Sequence, residues 1–258
     1  MAFNIPMRTT SALDRNTILS TDRCKPAYTS GTISQAGTVS PVKRPAPVPN
    51  SAPVSNPAPV RNVPKATVLP PLPETSTLLR RGQKFAVVEK NGKIPSRLKI
   101  VLNWNVGNPQ CDLDASAFLL AENEKVPGEE WFVFYGQPVS PDKSVNYSSK
   151  SDTGAEMEIC LPQIHRQIQK ITVAITIYEA IQQRLHFGMV QSVSARILNQ
   201  QNQTELARIE FTDCTAGVTA LVVGEFYRYK GDWKFNAVGS GVEKDLAGFC
   251  AMYGIEAG

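Results

Sequence analysis

The chain has 258 residues, 42% hydrophobic and 19% charged, an ordinary composition with enough apolar residues for a real core. No run of about 18 apolar residues offers a membrane-crossing helix, and the start MAFNIPMRTTSALDRNTILS lacks the apolar stretch of a signal peptide. The net charge of +4 is uneven: residues 1–75 hold eight Lys/Arg against three Asp/Glu, and those dispersed cations lack the interleaved aromatics of a nucleic-acid surface.

Residues 1–75 read as a disordered leader. Thirteen of the 19 prolines fall between Pro6 and Pro73, and nothing periodic is left to bury. Polyproline II character fits this composition, and the simplest role is a spacer. Leu69-Pro70-Pro71-Leu72-Pro73 resembles a ligand for proline-binding domains, a match that such a composition produces by chance.

From about Leu78 the texture changes to short alternating runs between turn residues. Lys84–Val88 and Leu98–Leu102 come first, joined through Asn91-Gly92. Strands are then expected over 113–120, 131–135, 157–161 and 170–177, the last with Ile or Val at every odd position from Ile171. Residues 193–198, 206–211, 221–229 and 233–238 complete the set. Short helices are expected at 162–169 and 243–253. Many closely spaced strands predict an all-β, two-sheet β-sandwich over 76–258.

Five scattered cysteines without a CxxC pair give neither a zinc site nor a disulfide framework, and free thiols in a reducing cytoplasm are expected. His165 and His186 stand in no recognisable catalytic pair. Trp104, Trp131 and Trp233 read as core anchors. A metal-dependent hydrolase would need a base beside an open metal position, and no P-loop, nucleophile elbow or GxGxxG is present. The expectation is therefore a protein without enzymatic activity.

One stretch asks for chemistry. In Cys111-Asp112-Leu113-Asp114 two carboxylates spaced two apart fall on one face of a strand, among apolar neighbours. A hard cation would turn their repulsion into attraction, and calcium takes six to eight flexible oxygens. Further donors are read in the 146–158 loop, with Asp152, Thr153, Glu156 and Glu158 around a turn-forming Gly154. Asn105 offers an amide oxygen. Glu179 shares the parity of Ile175 and Ile177, which places it at the rim of the core. The spacing is not that of an EF-hand. Taken alone, it also fits two aspartates on a solvated strand end.

The order of segments resembles the tellurium-resistance TerD family of bacterial stress proteins. The likeness is carried by Leu79-Arg80-Arg81-Gly82-Gln83-Lys84, Asp112–Leu120, Phe132–Tyr135, Ala174–Ala180, Phe187–Val190, Gly224–Arg228 and Trp233-Lys234-Phe235, over about 79–256. It implies a β-sandwich that binds calcium, with Asp112, Asp114 and Glu179 at matching positions. It also implies a role beside other stress-response proteins or a membrane-associated complex. Two departures lower the ligand count. Asn103-Trp104-Asn105 replaces the usual Gly-Trp-Asp, and the acidic loop is shortened to Asp152-Thr153-Gly154 and Glu156-Met157-Glu158. One calcium ion is expected, and the short loop counts against a second. The alternative is an interaction scaffold with reduced or lost calcium binding.

Overall fold

The computed structural model describes residues 72–74, 76–212 and 216–256. Apart from 72–74, the expected leader lies outside them. Among the described residues, one sheet has the order β1 (Thr77–Leu79), β10 (Glu205–Phe211), β9 (Val190–Asn199), β3 (Arg97–Val106), β7 (Gly154–Cys160), β6 (Val145–Ser151). The other runs β2 (Lys84–Ala86), β12 (Asp232–Asn236), β11 (Ala220–Tyr229), β8 (Lys170–Ile177), β4 (Leu113–Leu120), β5 (Phe132–Val133), with β13 (Ser240–Val242) also paired to β11. β1 lies parallel to β10. The two sheets form the expected sandwich.

Strand β8 shows how the layers arise. Ile171, Val173, Ile175 and Ile177 point to one side, and their register partners Leu119, Ala117, Ala115 and Leu113 in β4 share it. All eight are buried and form part of the core between the sheets. On the other side stand Asp114, Ser116 and Phe118 beside Thr172, Ala174 and Thr176. That outer side is also covered. Phe118 stacks on Phe132 at 4.5 Å and meets Phe249 and Tyr253 of the C-terminal segment at 5.5 and 4.5 Å. Phe249 belongs to α2 (Leu246–Met252), whose N-cap Asp245 accepts from the Gly248 amide at 2.8 Å. Every residue of β4 is therefore buried.

Several sequence expectations are corrected. β2 and β3 are not a hairpin: β2 pairs with β12 and β3 with β7 and β9, so the Asn91-Gly92 turn lies on a crossing between sheets. The expected 146–158 loop is a hairpin of β6 and β7. The expected strand at 131–135 shrinks to Phe132–Val133, because a 3-10 turn occupies Glu129–Trp131. No helix spans 162–169; a 3-10 turn at Leu161–Gln163 gives way to irregular chain. Its carbonyls are taken elsewhere: the Arg228 guanidinium donates to Ile164 O at 3.0 Å and Ile168 O at 2.9 Å. The helix expected at 243–253 is present as α2. The three expected core tryptophans are buried. Of the cysteines, Cys111, Cys160 and Cys250 are free thiols, and burial pushes Cys250 up to about 12. Cys24 and Cys214 lie outside the described residues.

Buried charge ties the entry of the domain to its sheet. Glu205, 3% exposed, accepts from Arg208 Nε at 2.9 Å, from Arg196 Nε at 2.6 Å and from Ser76 Oγ at 2.9 Å. Burial raises the Glu205 pKa, but these hydrogen bonds win and leave it below the ordinary 4.5. Asp142 follows the same balance: burial raises it, while the His165 amide, the Ser140 and Ser144 hydroxyls and the Ser144 amide bring it below the ordinary 3.8. A carboxyl with a depressed folded pKa contributes stability above its unfolded pKa and loses it as pH falls through the folded value. The melting temperature should therefore begin to fall below about pH 4.5. Glu205→Gln should cost about 3–5 kcal/mol at neutral pH, because it removes the nearer, buried counter-charge of Arg208 and leaves only the half-exposed Glu210 at 3.8 Å. Urea unfolding checks this. A loss under about 1 kcal/mol would show that the network does not bear on stability.

Candidate metal centre

Chain topology gathers most of the predicted residues at one end of the sandwich. β3 ends near Asn105 and a short connection leads to Asp112 at the start of β4. β8 runs antiparallel to β4 and finishes beside Asp112, while the β6–β7 hairpin tip lies against the end of β3.

Asp114 is 8% exposed, and Asp112 is half-buried just outside the strand. Alternation puts both on the outer side of β4. The Tyr178 amide donates to the Asp112 carbonyl at 2.8 Å, which extends the β4–β8 pairing by one step and brings Glu179 to the same edge. Glu179 is exposed rather than at the core rim as its parity predicted, because the strand stops at Ile177. Its backbone turns left-handed, with φ 47°, into α1 (Ala180–Gln183). The carboxylate accepts from Tyr178 Oη and from Gln183 Nε2, each at 2.8 Å.

Asp152 and Thr153 form the exposed hairpin tip. Trp104 anchors it: its indole N–H donates to Asp152 O at 2.9 Å and its amide to Thr153 O at 3.0 Å. Gly154 matters for close approach rather than for the turn. A Cβ there would lie 2.6 Å from Leu102 O. Asn105, at the same end, donates its side-chain amide to Gln191 Oε1 at 2.8 Å. Glu156 and Glu158 are not brought to this end. As strand residues they flank Lys99, whose Nζ lies 3.2 Å from Glu156 and 3.7 Å from Glu158.

Two tyrosines that the sequence reading passed over belong to the site. Tyr135 is pushed far above the ordinary phenol value by burial, then by the charges of Asp114, Tyr178 and Asp112. Tyr178 is pushed up to about 12 by burial, its hydrogen bond to Glu179 and the Glu179, Asp112 and Asp114 charges. The two hydroxyls register a shared negative field at this edge. Among the described residues, no three His, Cys, Asp or Glu side chains cluster closely enough to hold an ion alone. A calcium shell would draw further on amide, hydroxyl and backbone oxygens and on water. The residues fit on that basis: two carboxylates on one strand face, a third at the adjoining strand end, and oxygen donors around them.

An all-β sandwich with an acidic end formed by β4 and β8 is the class of protein described. The TerD domain model matches residues 76–253, and the chain belongs to that family. Over 191 residues it is 43% identical to the tellurium resistance protein TerD of Alcaligenes sp, covering 70% of this chain and 99% of that one. It is 33% identical over 190 residues to general stress protein 16U of Bacillus subtilis (strain 168), covering 70% and 98%. Among solved structures, SAV2460, titled a protein of unknown function, aligns with a TM-score of 0.50 at 25% identity, covering 61% of this chain and 96% of that one.

Gly154→Ala should destabilise the domain by about 1–3 kcal/mol, since backbone rather than a flexible side chain blocks the new methyl. Hydrogen exchange at 152–154 should speed up with it. Wild-type exchange and stability in this variant would show that β7 can move away from β3 without penalty.

Proposed function

We propose that this chain is a non-enzymatic calcium-binding module of a bacterial stress response, working in the cytoplasm through protein partners. The carrying observation is Asp114, a carboxylate 8% exposed on a strand covered on both sides, with Asp112 two residues away on the same face. Asp112, Asp114 and Glu179 would hold the ion, with oxygens from the Asp152-Thr153 tip. When bound, calcium supplies the positive charge that such a carboxylate set lacks. The protein's part is to fix the donors: β8 sets the spacing between Asp112 and Glu179, and Trp104 holds the hairpin tip. The tellurium-resistance and general-stress relatives support the stress-response setting, with other stress proteins or a membrane-associated complex as partners.

A second reading has its own observation. Glu156 and Glu158 are paired with Lys99, so two expected donors are engaged elsewhere. That favours a scaffold with reduced or lost calcium binding. Calcium separates the two readings. It should raise the melting temperature by mass action on the folded state, magnesium should do so poorly, and the Asp112→Asn, Asp114→Asn double variant should lose most of the gain. No stabilisation up to about millimolar calcium, the weak limit for protein sites, or an unchanged response in the double variant, would sink the calcium reading.

A further inference from the structure

Glu179 stands in a backbone conformation that ordinary side chains avoid. Its φ of 47° and ψ of 30° are left-handed, which crowds any residue with a Cβ. Such strain persists only where the surroundings hold it, and it gathers at functional sites. Here bonds on both sides hold it: the Tyr178 amide donates to Asp112 O at 2.8 Å, and the Gln183 amide donates to Glu179 O at 2.9 Å. The carboxylate therefore leaves the chain at a fixed point, just past the end of β8 and beside the start of β4.

Two side chains then fix its plane. Glu179 Oε1 accepts from Tyr178 Oη and Oε2 accepts from Gln183 Nε2, each at 2.8 Å. One donor on each oxygen sets the orientation and leaves lone pairs on both. Both donors are neutral. Burial, the bond to Glu179 and the charges of Glu179, Asp112 and Asp114 push the Tyr178 phenol up to about 12, so it stays a donor at neutral pH. The hydroxyl that holds Glu179 thus stands in the field of the two aspartates as well. An exposed glutamate otherwise loses rotamer freedom when it is fixed on a ligand, and carboxylates that bind metals are commonly oriented by hydrogen bonds of their own. Gln183 is exposed and uncharged, so neither burial nor an ion pair accounts for its placement.

We propose that Gln183 and Tyr178 are positioning residues for calcium, holding the Glu179 carboxylate in its liganding orientation before an ion arrives. The inference rests on the calcium reading and adds two residues that act only through Glu179. A role confined to bracing the four-residue α1 would instead appear in the ion-free fold and would be indifferent to the Glu179 carboxylate.

The test is calorimetric calcium titration of the full chain and its variants, with melting temperatures taken in chelator. Gln183→Leu keeps the bulk and removes the donor, and Tyr178→Phe removes only the hydroxyl. Each should bind calcium about tenfold more weakly, the lower end of what losing an outer hydrogen-bond partner costs a metal site. The ion-free melting temperature of Gln183→Leu should stay within about 2 °C of wild type, as for other exposed substitutions. In a Glu179→Ala background Gln183→Leu should change the affinity by less than about twofold, because the group it orients is gone. The inference is overturned if Gln183→Leu binds calcium as tightly as wild type, or if its loss persists undiminished without the Glu179 carboxylate. A wild-type chain that takes up no calcium contradicts the calcium reading itself and removes this inference with it, whereas unaltered affinity in Gln183→Leu beside a binding wild type overturns this inference alone.

Discussion

A strand covered on both faces cannot carry a carboxylate cheaply, and β4 carries one at its second residue. The inner side of β4 belongs to the sandwich core, and its outer side lies under Phe132, Phe249 and Tyr253. Burial favours the neutral form of a carboxyl unless charge or hydrogen bonds oppose it. The rest of this end is arranged around that constraint. Asp112 adds a second charge on the same side, Glu179 is delivered by the next pairing step along β8, and the hydroxyls of Tyr135 and Tyr178 rise through burial first and then through these charges. Under the calcium reading proposed above, a hard cation would offset the repulsion at this edge.

Two charges near the start of β3 are handled differently. Near β1 and β10, Glu205 is enclosed by two arginines and a hydroxyl, and Arg208 also lies 3.8 Å from Glu210. At the β11–β12 hairpin, Arg228 is held by carbonyls and a ring, which fix its position without matching its charge. The first arrangement reads as stability. The second caps carbonyls of the irregular 164–168 segment.

Much of the fold was legible because β8 and its neighbours alternate strictly, and one-sided burial fixes register when side chains repeat every two residues. Asp112 and Asp114 stood out for the same reason, as polar residues where the pattern calls for apolar ones. The 146–158 hairpin was missed because Asn, Ser, Asp and Gly suggest a loop. Yet Ala155, Met157 and Ile159 are buried in alternation with Glu156 and Glu158, the pattern of a strand with one solvated side. Counting that parity would have moved both glutamates out of the site. The 162–169 helix failed for a tertiary cause, since the Arg228 that takes its carbonyls lies some 60 residues away. Tyr135 carries no local signal at all; this turn residue beyond β5 joins the site only when the chain folds back beside Asp114.

The most direct measurement is a crystal structure of the chain grown with calcium. The account predicts one ion within about 2.3–2.6 Å of carboxylate oxygens from both Asp112 and Asp114, with Glu179 or the Asp152-Thr153 tip completing the shell. An ordered structure in saturating calcium with no ion at that edge, or with calcium bound only elsewhere, would contradict it.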